Sequence, residues 1–209
     1  MTDLQKIEKA VAALKLCVVG GFNEDGKALV LLGPDEPNGF WSEFKASNEY
    51  QDGQADPMDR WSRRVISRVA NELHAEPLFP FGGEPYHPFF TWALKTGRVF
   101  ESPVKLLVHD TSGLWVSFRG ALRFDEELKF PDSAESPCET CKDKPCLDTC
   151  PVKALTGSGY DVPKCREYLA LPEVSECNKS GCLVRSSCPV SQSWNRIDEQ
   201  SKFHMSAFY

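Results

Sequence analysis

The stretch Cys138-Glu-Thr-Cys141-Lys-Asp-Lys-Pro-Cys146-Leu-Asp-Thr-Cys150-Pro151 gathers four cysteines into one short run, and a second group, Cys165, Cys177, Cys182 and Cys188-Pro189, follows it. Eight of the nine cysteines therefore lie in the last third of the chain, in two groups that each close on Cys-Pro. Three chemistries use thiols at this density: disulfide frameworks, structural zinc and iron–sulfur clusters. Disulfides need an oxidising compartment. The chain opens at Met1 without a basic-then-apolar leader and carries no membrane-length apolar run, so the sequence predicts a cytoplasmic protein with reduced thiols. Zinc sites usually show two C-x2-C knuckles separated by a dozen or more residues, unlike this run.

The arrangement resembles two-cluster ferredoxins, in which the cysteine before each proline ligates the cluster of the other group. That resemblance assigns Cys138, Cys141, Cys146 and Cys188 to one [4Fe-4S] cluster, and Cys150, Cys165, Cys177 and Cys182 to its neighbour. The spacing departs from the bacterial pattern, because Lys142 to Pro145 put four residues between Cys141 and Cys146, and the second group is looser still. The ninth cysteine, Cys17, sits in Leu-Cys-Val-Val-Gly among apolar neighbours and is expected in a core.

The chain has 209 residues, a net charge of -6 and 41% hydrophobic content, enough for one globular domain or two small ones. An acidic balance excludes nonspecific partners that need a basic face, namely nucleic acid and anionic membrane. Lys142, Lys144, Lys153, Lys164, Arg166, Lys179 and Arg185 surround the cysteines, either as solvated surface or as a docking patch for an acidic redox partner.

The polar, proline-bounded segment Phe130 to Pro137 predicts a boundary, dividing the chain into domains 1–130 and 131–209. In the first, Leu4, Ile7, Val11 and Leu14 recur at helical spacing within Thr2 to Leu16, with Thr2 and Gln5 as a capping box. Cys17 to Gly20 and Ala28 to Leu32 read as paired strands. Asp56, as N-cap before Pro57, opens a helix whose apolar stripe is Met58, Trp61, Val65, Val69 and Leu73. Val104 to His109 and Leu114 to Phe124 read as a hairpin joined by Asp110-Thr-Ser-Gly113. The first domain is thus expected to be α/β or α+β.

Several motifs extend the resemblance. His109-Asp-Thr-Ser-Gly113-Leu-Trp115 is similar to a segment shared by epoxyqueuosine reductases and type C cobalamin-trafficking chaperones, a group that also includes reductive dehalogenases, and Asp56-Pro57-Met58-Asp59 resembles a helix-opening motif of the chaperones. Cys150-Pro-Val-Lys-Ala154-Leu and Asp161-Val-Pro-Lys-Cys165-Arg-Glu-Tyr168-Leu169 resemble the reductase cluster region. The likeness implies a nitroreductase-like N-terminal domain holding cobalamin, or alternatively flavin mononucleotide (FMN), beside a bacterial ferredoxin-like 2[4Fe-4S] domain. Two departures argue against a queuosine enzyme: the loop Phe81-Gly-Gly-Glu84-Pro-Tyr86-His87 contains no Asp where the reductase keeps its general acid, and the chain has no repeat-rich tRNA-binding tail.

Phe81, Tyr86 and His87 of the aromatic loop, with Trp115 and Arg119 of the hairpin, are the expected lining of a planar-cofactor pocket. Glu84, Tyr86 and His87 are the polar candidates for axial ligand or proton donor there. No catalytic residue is assigned. His109 reads as structural, and the aromatic tail with His204, Met205 and Phe208 as docked for packing. These features lead to an iron–sulfur electron-transfer protein, with a soluble electron donor or acceptor protein as partner, whose two clusters pass electrons to a corrinoid or other acceptor at the N-terminal domain. A corrinoid- or flavin-dependent reductase, and a cobalamin-binding module with structural clusters, stand as alternatives.

Overall fold

The computed structural model describes residues 3–171, 173 and 175–208. It divides into two compact units, and the division is not a single cut. One unit runs through Val99 and resumes at Ser117–Ala134; the other holds Phe100–Val116 and the described chain from Glu135 onward.

In the first unit, helix α1 (Leu4–Ala12) buries Ile7 and Val11. Thr2 of the expected capping box lies outside the described residues; Asp3 is the N-cap, its carboxylate accepting from Lys6 N–H at 2.8 Å. Strands β1 (Leu16–Glu24) and β2 (Lys27–Pro34) form a hairpin closed by Asp25 and Gly26, both left-handed, the geometry that matches strand twist in a two-residue turn. Short helices α2 (Phe40–Lys45) and α3 (Asn48–Gln51) set Phe40 and Phe44 edge-on to Trp61.

Helix α4 (Pro57–Leu73) buries the whole expected stripe of Met58, Trp61, Val65, Val69 and Leu73. Its start differs from expectation in one respect. Asp56 is itself left-handed and its side chain makes no cap hydrogen bond, so Pro57, with φ set for a helix and no N–H to satisfy, carries the initiation. Strand β3 (Glu76–Leu78) and helix α5 (Phe89–Lys95) follow. The sheet is completed by β6 (Gly120–Phe124), in the order β1-β2-β6-β3, antiparallel throughout. Helix α4 packs on β3 and β6.

The second unit begins at Phe100, within β4 (Val99–Glu101), which pairs with β5 (Leu107–His109) as a two-stranded sheet. The expected hairpin of 104–109 with 114–124 does not form. His109 forms an isolated bridge to Gly113, and β6 pairs with β2 and β3 instead. The tight turn after His109 is closed by the imidazole: Nδ1 accepts from the N–H groups of Thr111 at 3.2 Å and Ser112 at 3.3 Å. His109 is accordingly a structural residue.

Beyond Glu135 the unit is built from short helices and turns. They are α6 (Pro137–Thr140), a 3-10 turn (Pro145–Leu147), the hairpin of β7 (Leu155–Thr156) and β8 (Gly159–Tyr160), α7 (Val162–Leu169), α8 (Cys177–Ser180), α9 (Leu183–Ser187), α10 (Pro189–Gln192) and α11 (Asp198–Ser206). Their core contains Val104, Val108 and Leu114 packed with Cys146, Leu155 and Val184. This explains why Phe100–Val116 departs from the expected boundary at 130/131. Fully burying one aliphatic side chain is worth about 1.5–3 kcal/mol, and three such anchors hold the segment to the cysteine-rich unit. The chain is a mixed α and β protein with small antiparallel sheets, compatible with an α+β class. Among the described residues no helix is long and apolar enough to cross a membrane.

Candidate metal centre

Seven of the eight grouped cysteines are positioned by a local device that the sequence encodes. Ser136 caps α6, accepting from Cys138 N–H at 3.4 Å, and Cys141 ends that helix in an extended conformation. Lys144 adopts a left-handed conformation and Pro145 then starts the 3-10 turn that carries Cys146. Asp161 caps α7 through Lys164 N–H at 3.0 Å and so sets Cys165 in the first turns of that helix. Cys177 opens α8, and Cys182 and Cys188 stand at either end of α9. Pro189 disfavours helical dihedrals at Cys188, whose ψ is 124°, so α9 stops there. Helix α9 also packs against the 3-10 turn of Cys146, carrying Cys188 back to the first group.

Electrostatics sorts the thiols into two sets. Burial pushes Cys138 up, and its thiol neighbours Cys146, Cys188 and Cys141 push it further. Cys146 is raised by burial and by Cys188 and Cys141, against the lowering effect of Lys144. In the second set, burial takes Cys177 up to about 11, with Cys182, Cys165 and Cys150 adding to it. Cys165 is raised by burial and by Cys182 and Cys150, while the Tyr160 hydroxyl opposes the shift. Every thiol that perturbs another in these four cases belongs to the same set of four as its target.

Cys138, Cys141, Cys146 and Cys188 all line one cavity of about 520 Å³. Its other walls include Val108, Leu114 and Val190, with Lys142 and Lys144 also bordering it. Among the described residues no three His, Cys, Asp or Glu side chains converge as ligands of a single metal ion. The sulfurs also find donors: Cys150 Sγ accepts from Ala154 N–H at 3.2 Å.

No family model, no curated protein and no solved structure matches this chain. The reading of the site therefore rests on its own residues.

Ser191, which carries no sequence signal of its own, and Arg185, read from sequence only as one of the basic residues around the cysteines, belong to the support of the site. Ser191 Oγ accepts from Leu114 N–H at 2.8 Å, and Arg185 Nη1 donates to Leu114 O at 2.5 Å, so α9 and α10 grip the inserted segment. Arg196 lies over the Trp115 ring, 5.0 Å from its centroid. The aromatic tail is docked on this unit: α11 packs on α8, Phe208 stacks on Tyr160 at 6.2 Å, and Arg166 Nε donates to Phe208 O at 3.2 Å. His204 packs edge-on to Phe203.

The candidate residues of the first unit are distributed otherwise. Phe81, Tyr86 and His87 line a cavity of about 210 Å³ with Arg63, Gly82 and Gly83. Neither Trp115, which belongs to the second unit, nor Arg119 lines it. Arg119 Nη1 lies 3.6 Å from Asp59, whose carboxyl is raised by burial despite that guanidinium. Glu84 does not line the cavity. Cys17 donates its thiol to Pro34 O at 3.4 Å, and burial pushes it up to about 12.

Proposed function

We propose that this chain is an iron–sulfur electron-transfer protein. One [4Fe-4S] cluster would be held by Cys138, Cys141, Cys146 and Cys188, the other by Cys150, Cys165, Cys177 and Cys182. The observation that carries this reading is the cavity on which Cys188, from the end of α9, meets three cysteines of the first group. A disulfide joins two thiols and would not call for four of them on one cavity. Clusters of this kind accept and release single electrons at potentials set by hydrogen bonds to sulfur and by exposure. Here Ala154 N–H is such a donor, while Val108, Leu114 and Val190 supply an apolar wall. The partner in this reading is a soluble redox protein.

A corrinoid or flavin acceptor is not part of the proposal. The cavity beside Phe81, Tyr86 and His87, about 210 Å³, is below the roughly 300–1,000 Å³ of sites for drug-sized ligands.

The test is anaerobic reconstitution of the full chain followed by iron, sulfide and zinc analysis. About eight iron and eight sulfide per chain are expected for two four-iron clusters. Cys188→Ser should remove the spectroscopic signature of the first cluster although it lies in the second sequence group. Stoichiometric zinc without visible absorption would overturn the proposal, as would a Cys188→Ser variant with an unchanged spectrum.

A further inference from the structure

We propose that Arg63 is the anion-binding group of a second site, in the first unit. It would take a small oxyanion, the phosphate or carboxylate head of a small molecule or the free ion. Four arginines lie along α4, and three have acidic neighbours. Arg60 is bonded to both carboxylate oxygens of Asp52, Arg64 to both of Glu49, and Arg68 lies 4.0 Å from Glu72. Arg63 differs: among the described residues none of its N–H groups makes a hydrogen bond. Asp59, one turn earlier, feels its charge but is nearer Arg119, at 3.6 Å.

The Arg63 guanidinium is nonetheless held in place. Its central carbon lies 4.9 Å from the Phe79 ring centroid and 5.4 Å from that of Phe81, and the two rings contact each other at 5.2 Å. Aromatic rings hold a guanidinium without accepting its N–H groups in conventional hydrogen bonds, which leaves the fork of donors available to pair with a carboxylate or phosphate. These donors border the cavity of about 210 Å³ that Gly82, Gly83, Tyr86 and His87 help to line, and no carboxylate lines it.

The two glycines bring backbone close to that cation. Both have left-handed φ values, 111° and 110°, and a Cβ at Gly82 would stand 2.9 Å from Arg63 Nη2. A Cβ at Gly83 would meet nothing within 4 Å, so there is open space beside the backbone. Tyr86, 60% exposed, offers a ring at the rim against which an organic group can lie. The volume admits an oxyanion with a small substituent and not a macrocycle.

The full chain, titrated with inorganic phosphate, phenyl phosphate and benzoate against a chloride control of equal ionic strength, tests this by the amide resonances of Gly82 and Gly83. At least one of the three oxyanions should shift both resonances saturably, and the relative affinities assign phosphate or carboxylate, free ion or ester. Arg63→Lys keeps the charge but loses the fork and should weaken binding at least about tenfold. Arg63→Gln should abolish it, and Gly82→Ala, which displaces the guanidinium, should also weaken it. Arg63 is exposed, so an unchanged melting temperature and amide spectrum elsewhere will show that the variants are folded. Absence of saturable shifts at tens of millimolar for all three probes would overturn the proposal. So would an Arg63→Gln variant that titrates like the parent.

Discussion

Cys17 shows how one residue's surroundings decide between two roles open to a thiol. The eight grouped cysteines have sulfur neighbours, whereas Cys17 has a backbone carbonyl acceptor, and burial together with the charges of Asp35 and Glu36 pushes it up to about 12. A folded-state value above the unfolded one, near 8.5, means that the native state holds its proton while the unfolded chain releases it. The Cys17 contribution is therefore fully present below about pH 8.5 and is lost as pH rises towards 12. Denaturant midpoints should fall through the accessible part of that window, and Cys17→Ala should flatten the fall without changing iron content. An equally steep decline in the variant would refute this assignment. Alkylation of folded Cys17 near pH 8 should also be slower than that of an ordinary thiol by about a thousandfold, in proportion to its thiolate fraction.

At the scale of elements, two contacts join pieces that the sequence lists far apart. Arg64 on α4 forks onto Glu49 of α3 at 2.5 and 2.9 Å, and that hydrogen-bonded guanidinium holds the Glu49 carboxyl below its ordinary value. Such a depressed acid stabilises above the unfolded value, and its contribution is lost as pH falls below about 4. Glu49→Gln should cost roughly 1–2 kcal/mol near neutral pH and make acid unfolding of the first unit less steep; equal acid midpoints would contradict it. In the second unit, the turn after β5 presses Gly113 against α10. Gly113 has φ of +58°, and a Cβ there would fall 2.5 Å from Ser191 N, a backbone atom that cannot swing aside. Gly113→Ala combines left-handed strain with that collision and should destabilise the second unit by about 1–3 kcal/mol or more. Ser191→Ala, which leaves the Leu114 N–H without its acceptor, should lower stability by about 1–3 kcal/mol. Thermal melts followed by circular dichroism would measure both.

Over the whole molecule, the chain leaves its first unit at Phe100, contributes Val104, Val108 and Leu114 to the core of the second, and returns at Ser117 to supply β6. Hydrogen exchange along the sequence reads this path directly. If metal clusters staple the second unit, removing iron with a chelator under reducing conditions should speed exchange in 100–116 together with 137–169. Protection in β1, β2 and β6 should persist. Protection of 100–116 that follows β6 instead would show that this segment owes its order to the sheet.

Short-range chemistry is what the sequence by itself determined. The α4 stripe, the β1–β2 pair and the cysteine density are local periodicities and spacings, and each is legible without knowing the fold. The aromatic loop was also legible as a cluster, and Phe81, Tyr86 and His87 do share one cavity wall. Tertiary structure alone decided the rest. Leu114 to Val116 and Gly120 to Phe124 look like one continuous β-prone run, yet a buried apolar anchor on one side and two antiparallel partners on the other draw them into different units. Trp115 thereby parts from Arg119, and Ser191 and Arg185 become supports of the cysteine unit. Those outcomes depend on competition between distant surfaces for the same short segment, and no window of sequence contains both competitors.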